Sequence, residues 1–281
     1  KITKDAKKRR ERERERSKEE QKQYFQRLYD KPKVINFRSW DEVDMKKHFF
    51  FPAIHENWGF GPKTPRAALA VYPVLCSRAD FRDYEKWFPI SEENIAKLTG
   101  ISPNTAREGI EHLLNVGYGI IYEGEHQCYL LERKMEYEGK RHFYVYRAGF
   151  LRENMISNWH CFKFYTCIID TGIWAKLKPR AKALYLALRS CSRFDREAYA
   201  LVEYGAPTEE VEEIRSMPSK DFYDSRKWEI CDIPTAHLCR LVNIDPTNLQ
   251  GILEQLEDYG LVEKIDRWYK VYLKPKFVKI N

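Results

Sequence analysis

The sequence predicts an α+β chain, mainly helical, made of two copies of one unit behind a charged N-terminal arm, and three observations predict it. The pattern at Ile95–Gly117 returns without a gap at Leu238–Gly260: Ile95, Leu98, Ile101, Pro103, Ile110, Leu113 and Gly117 fall on Leu238, Leu241, Ile244, Pro246, Leu253, Leu256 and Gly260. Apolar meets apolar, turn meets turn and proline meets proline, as in a duplicated supersecondary unit. Each copy is also preceded by related segments, because Phe50-Phe51 matches Phe164-Tyr165, the Pro-Arg-Ala around Arg66 returns around Arg180, and Cys76-Ser77-Arg78 returns as Cys191-Ser192-Arg193. Each copy is followed by alternating apolar and polar residues broken by turn residues, which reads as β-hairpins.

The elements follow in order. Residues 1–30 form the arm, with a basic run Lys7-Lys8-Arg9-Arg10 and then alternating Glu and Arg; Tyr24, Phe25 and Leu28 have the helical spacing to dock it. The first domain spans 45–150. It opens with the strand-like His48–Pro52, passes a Gly/Pro-rich loop at Gly59–Pro62, and enters a helix from Pro65 to Arg78, which Pro73 is expected to kink or end early for want of an amide donor. Ser91 reads as the N-cap of a helix to Leu98 with the first-turn carboxylates Glu92 and Glu93, and Gly100 supplies a permissive turn. Ser102 caps a second helix with Pro103 at its first position, where a missing amide costs nothing.

After Gly117, Ile120 and Tyr122 with Cys128 and Leu130 flank a turn at Glu123-Gly124-Glu125, and a second hairpin turns at Tyr137–Lys140 with Phe143 and Val145 returning. The second domain spans 160–281 and pairs Leu261–Ile265 with Trp268–Tyr272 around Asp266-Arg267. Between its first helix and its helix-turn-helix the spacing of the repeat grows by 28 residues, which places an insertion at about 195–227 that includes the acidic run Glu209–Glu213. Helix, helix, helix, hairpin is the order of a helix-turn-helix with a β-wing. The architecture expected is two tandem winged-helix domains.

Composition bounds the function. The 281 residues are 43% hydrophobic and 14% aromatic, enough for packed cores in two domains. No apolar run reaches the roughly 20 residues of a membrane span, so a soluble, cytoplasmic protein without a membrane partner is expected. The seven cysteines are scattered among apolar neighbours, which suits reduced thiols better than a disulfide framework. His160 with Cys161, or His237 with Cys239, lacks the second pair that structural zinc requires. Of the net charge of +7, residues 1–22 carry +5, with eleven Lys/Arg against six Asp/Glu, so the folded body is nearly neutral. What matters for a nucleic-acid partner is where the cations sit. No phosphate-cradling Gly-Lys-Ser/Thr loop, His-x-His cluster or Gly-x-Ser-x-Gly elbow is present, so neither catalysis nor a cofactor or metal is expected.

The candidate site is the second helix of the first repeat. Ala106, Gly109, Ile110 and Leu113 form its apolar stripe, leaving Asn104, Thr105, Arg107, Glu108, Glu111 and His112 outside it, the polar residues concentrated towards the N-terminus. That end of a recognition helix enters the major groove. Asn can pair bidentately with adenine, Arg with guanine or a phosphate, and Thr can touch a base edge or a thymine methyl. With the cap Ser102, these residues are the first DNA-binding set. In the second repeat Thr247, Asn248 and Gln250 hold the corresponding places, but Gln250 stands where Arg107 stood, and Glu254, Glu257 and Asp258 add negative charge. Arg240 on the preceding helix and Lys264, Arg267, Lys270 and Lys274 on or near the wing are expected at phosphates, with Lys7, Lys8, Arg9 and Arg10 of the arm.

The string Ser102-x-x-Thr105-Ala106-Arg107-x-Gly109-Ile110-x-x-Leu113 resembles the recognition helix of bacterial winged-helix regulators, and that resemblance implies DNA contacts from Thr105 and Arg107. Tandem winged helices, each behind an aromatic strand and a Pro-Arg-Ala helix, look like plasmid and phage replication initiators, whose two units bind successive major grooves of an origin repeat. The expectation is a sequence-specific double-stranded-DNA-binding protein of that type, associated with plasmid or nucleoid. The alternatives are a transcriptional regulator with the same chemistry, and an adaptor whose winged helices bind protein. Self-association and a replication or regulatory protein partner stay open.

Overall fold

The structure, a computed structural model, describes residues 35–55, 60–79, 86–115, 129–138, 141–150, 161–195, 198–199 and 226–276. The arm, the turn at Glu123–Glu125 and most of the insertion lie outside the described residues. Those described form a mixed α/β molecule with eight α-helices and three small sheets. In chain order they are β1 (His48–Pro52), α1 (Arg66–Arg78), β2 (Phe88–Pro89), α2 (Glu92–Thr99), α3 (Pro103–Asn115), β3 (Tyr129–Glu138), β4 (Arg141–Phe150), β5 (Cys161–Tyr165), α4 (Cys167–Asp170), α5 (Ile173–Lys176), α6 (Pro179–Cys191), β6 (Trp228–Cys231), α7 (Thr235–Leu241), α8 (Leu249–Asp258), β7 (Val262–Ile265) and β8 (Trp268–Tyr272). None of the described helices is long and apolar enough to cross a membrane.

Two of the sheets share one strand order. One three-stranded sheet runs β2-β4-β3 and the other β6-β8-β7, so in each half the strand before the helix pair bonds to the second strand of the hairpin. The hairpins turn where the residues predict, closing on Glu138↔Arg141 and on Ile265↔Trp268, with Asp266 at φ +47 in the second turn. The short β2 and β6 carry no alternating pattern long enough to be read from sequence.

The two aromatic strands pair with each other. β1 and β5 form an antiparallel ribbon, with Phe49 opposite Phe164 and their rings stacked at 5.1 Å. Phe49 and Phe51 in one strand, Phe162 and Phe164 in the other, point inward while Phe50 and Lys163 point away. The inward positions correct the repeat by one residue: Phe51 corresponds to Phe164, not to Tyr165. In a strand such a shift exchanges the two faces, so burial decides the register. Behind the ribbon lie α1 and α6, and the Trp174 indole donates to Ala70 O at 2.9 Å. The apolar core runs without a break from Leu69, Ile95 and Ile110 through Leu184 and Leu188 to Leu238 and Leu253, where a separate core had been expected in each unit.

α1 runs from Arg66 to Arg78, the extent expected, with Pro73 inside it rather than at an early end, and burial of every residue from Ala68 to Ser77 holds the segment together despite the missing amide. Arg66 at its start donates to Asn243 O at 2.5 Å and so joins the first unit to the turn of the second. In α6, Lys182 is fully buried, its amine bonded to Leu177 O and 5.7 Å from the centre of the Trp174 ring. Burial pushes its pKa down to about 7. The six described cysteines are free thiols, and burial raises Cys76, Cys167 and Cys231 to about 12.

Candidate nucleic-acid interface

The first helix pair is fixed at each joint by the residues its sequence singles out. Ser91 Oγ accepts from Asn94 N at 3.2 Å and Ser102 Oγ from Thr105 N at 3.1 Å, so both helices start on a side-chain cap. Gly100 stands at φ +66, and a Cβ there would come within 1.8 Å of Ala175 O on α5. The turn therefore needs glycine for conformation and for space. Ala106, Gly109, Ile110 and Leu113 are buried as the stripe requires, and Gly109 lets α3 approach the backbone of α1 at Ala67.

Outside the stripe, Ser102, Asn104, Arg107 and Glu108 are exposed, while Thr105, Glu111 and His112 are half-buried. The Thr105 hydroxyl lies 2.9 Å from Ser102 Oγ and is engaged in the cap. Burial holds the His112 imidazole below its ordinary pKa, so it adds no full charge at neutral pH. Arg107 is not a lone cation. Its Nε donates to Glu92 Oε2 at 3.0 Å and its Nη2 to the same oxygen at 2.5 Å, with the arginine side chain 55% exposed and the glutamate 16%. A second pair stands nearby, Arg133 of β3 on Glu111 at 2.7 Å, and the Arg133 guanidinium lies 4.5 Å from the centre of the Tyr144 ring. One ion pair thus joins the two helices to each other, and the other joins the second helix to the hairpin.

The second helix pair repeats the frame with other residues. Its turn places Asn243 at φ +49, at the position Gly100 takes in the first copy. Asparagine tolerates that left-handed conformation better than other side chains with a Cβ. Asp245 Oδ1 accepts from the Thr247 amide at 2.9 Å and hydroxyl at 2.7 Å, which together hold its carboxyl below the usual carboxylate range. Pro246–Asn248 make a 3-10 turn, so Thr247 and Asn248 precede α8 and are exposed. Gln250 is exposed as well, bonded along the helix to Glu254 Oε1 at 3.1 Å.

The expected phosphate-binding cations divide. Lys264 and Arg267 are exposed on the β7–β8 hairpin, and Arg240 is exposed with Nη2 3.1 Å from His237 Nδ1. Lys270 corrects the expectation: it is 7% exposed, with its amine 4.9 Å from the centre of the Trp228 ring. Both faces of β8 are covered, with Tyr269 and Val271 buried on one and Lys270 sharing the other with the buried Tyr272, because residues two apart in a strand share a face. Lys274 is half-buried, its amine 4.6 Å from the centre of the Tyr165 ring. Lys7, Lys8, Arg9 and Arg10 lie outside the described residues. Sequence reading missed Glu92 as a partner of Arg107, since a first-turn carboxylate is already accounted for by the helix dipole. It also missed Asn243, which the constant spacing of the repeat sets opposite Gly100.

No known family matches this chain, and no curated protein matches it. Among solved structures, the crystal structure of Pi initiator protein in complex with iteron DNA is similar at a TM-score of 0.36 with 13% identity, over 82% of this chain and 99% of that one.

Proposed function

We propose that the chain is a sequence-specific double-stranded-DNA-binding protein built from two tandem winged helices, a plasmid or mobile-element replication initiator without catalytic activity. The observation that carries the DNA-binding part is the capped N-terminal half of α3, which presents Asn104 and Arg107 to solvent from a helix whose other face is locked into the core. A rigid helix with a polar, outward N-terminal end is the geometry for reading a major groove. The initiator part rests on the sequence resemblance, with two such units in one chain. Exposed Lys264, Arg267 and Arg240 supply phosphate contacts around α8. The exposed Glu254, Glu257 and Asp258 on α8 favour a second reading for that unit alone, in which it docks a protein.

The test is selection of bound duplexes from a random pool, followed by titration of the selected site at increasing salt. Binding is expected to weaken steeply, with a log-log slope of several units, as cations displace counterions. Arg107→Ala is expected to weaken the selected site about tenfold or more while leaving the fold intact. A slope near zero, or no enriched sequence, overturns the reading.

A further inference from the structure

We infer that Glu92 is a positioning residue that turns Arg107 into a guanine reader. The inference rests on the DNA-binding reading of α3 and deepens it, naming a base where the reading names only duplex DNA. A guanidinium has five N–H donors in a rigid plane. Glu92 takes the side-on edge, with Nε and Nη2 both donating to Oε2. The end-on edge, made of Nη1 and the second Nη2 hydrogen, is left for another acceptor. Two parallel donors at that spacing match guanine O6 and N7.

Glu92 suits the role because it is held. It lies in the first turn of α2 behind the Ser91 cap, its side chain is 16% exposed, and a carboxylate is stabilised at a helix N-terminus. Fixing one edge of the arginine removes much of the rotamer freedom that a flexible arginine would lose on binding. The carboxylate also decides between partners. It repels a phosphate brought to Arg107, whereas a neutral base edge meets no such opposition.

The second repeat supplies an independent comparison within the same chain. The constant spacing sets Thr235 at the place of Glu92 and Gln250 at the place of Arg107, so carboxylate and guanidinium are absent together. There Thr235 Oγ1 lies 3.4 Å from the Tyr269 hydroxyl and Gln250 turns to Glu254. A carboxylate serving only the helix start would be useful in either copy; this one occurs where there is an arginine to hold.

The experiment measures dissociation constants for the selected duplex and for duplexes with each guanine replaced in turn. Wild type is expected to prefer guanine at one position by about tenfold, and Arg107→Ala to lose that preference there and nowhere else. Glu92→Gln should reduce the same preference to about twofold, leaving affinity for random duplex unchanged or raised. Glu92→Asp keeps the charge at the start of α2 but not the reach, and should behave like Glu92→Gln; thermal melting of each variant checks the fold. If Glu92→Gln keeps the guanine preference, or if its affinity for selected and random DNA rises by the same factor, Glu92 only competes with phosphate and the inference fails while DNA binding stands. If wild type enriches no duplex, the DNA-binding reading fails and this inference falls with it.

Discussion

In the first half of the molecule the helix pair turns on Gly100, starts its second helix on Ser102 and carries Arg107 braced by Glu92; in the second half it turns on Asn243, starts on Asp245 and carries Gln250 facing Glu254. The inward positions exchange only within a narrow set, because each must fill the same space or adopt the same backbone conformation. The outward positions exchange charge for neutrality, because nothing in the core depends on them. The frame therefore says what the unit is, and the outward face says what it meets. The halves also differ in how they are tied. The first relies on close backbone approach, at Gly109 to α1 of its own half and at Gly100 to α5 of the second, whereas the second relies on a buried cluster in which Glu229 receives Arg189 at 2.7 Å and Arg226 at 2.8 Å.

The largest expected effect is in that cluster. Glu229→Gln leaves two buried guanidiniums facing a neutral amide, and is expected to destabilise by about 3 to 5 kcal/mol. Burial alone would raise the Glu229 pKa, but the charges and hydrogen bonds of Arg189 and Arg226 outweigh it and hold the carboxyl below its ordinary value. A folded pKa below the unfolded one means stability fully present above the unfolded pKa of about 4.3 and lost as pH falls through the folded value. Urea midpoints measured from neutral to strongly acidic pH should fall more steeply for wild type than for Glu229→Gln. Parallel curves would show that the cluster adds no acid sensitivity.

Next comes the pair of turns. Gly100→Ala combines a left-handed backbone with a Cβ 1.8 Å from Ala175 O, and is expected to lose about 2 to 5 kcal/mol in a denaturant titration. Asn243→Gly occupies the same turn without a new atom and should change stability by about 0.5 kcal/mol or less. If Gly100→Ala were as mild as Asn243→Gly, the contact of the first turn with α5 would not help to hold the two halves together.

Much of the frame was legible because it depends on local chemistry. The caps at Ser91 and Ser102, the stripe on α3 and the hairpin turn at Asp266 follow from side chains acting on their own backbone or on a period of 3.6 or 2. Long-range relations were not legible. That β1 pairs with β5, that Lys270 faces Trp228 and that Arg107 meets Glu92 depend on how segments distant in sequence pack. Among the site residues, exposure of Asn104, Arg107, Gln250, Lys264 and Arg267 could be read from the repeat, and their partners could not.

The smallest effect separates the halves by sign. Gly109 and Gly251 both lie inside the second helix of their pair. A Cβ at Gly109 would come within 2.8 to 3.0 Å of the backbone at Ala67 and Ala68, whereas one at Gly251 would meet nothing within 4 Å. Alanine restricts the unfolded chain and favours helix, so Gly251→Ala should stabilise by about 0.5 to 1 kcal/mol. Gly109→Ala should destabilise by about 1 to 3 kcal/mol, because the backbone of α1 has no flexible end to move aside. Thermal melting of the two variants gives the signs directly. Gly251→Ala also probes the outward face of α8, next to Gln250: in a folded and stabilised protein, a loss of affinity for the selected duplex means that this face lies against DNA. Unchanged affinity with a steep salt slope leaves base reading to α3 and α8 free for another partner.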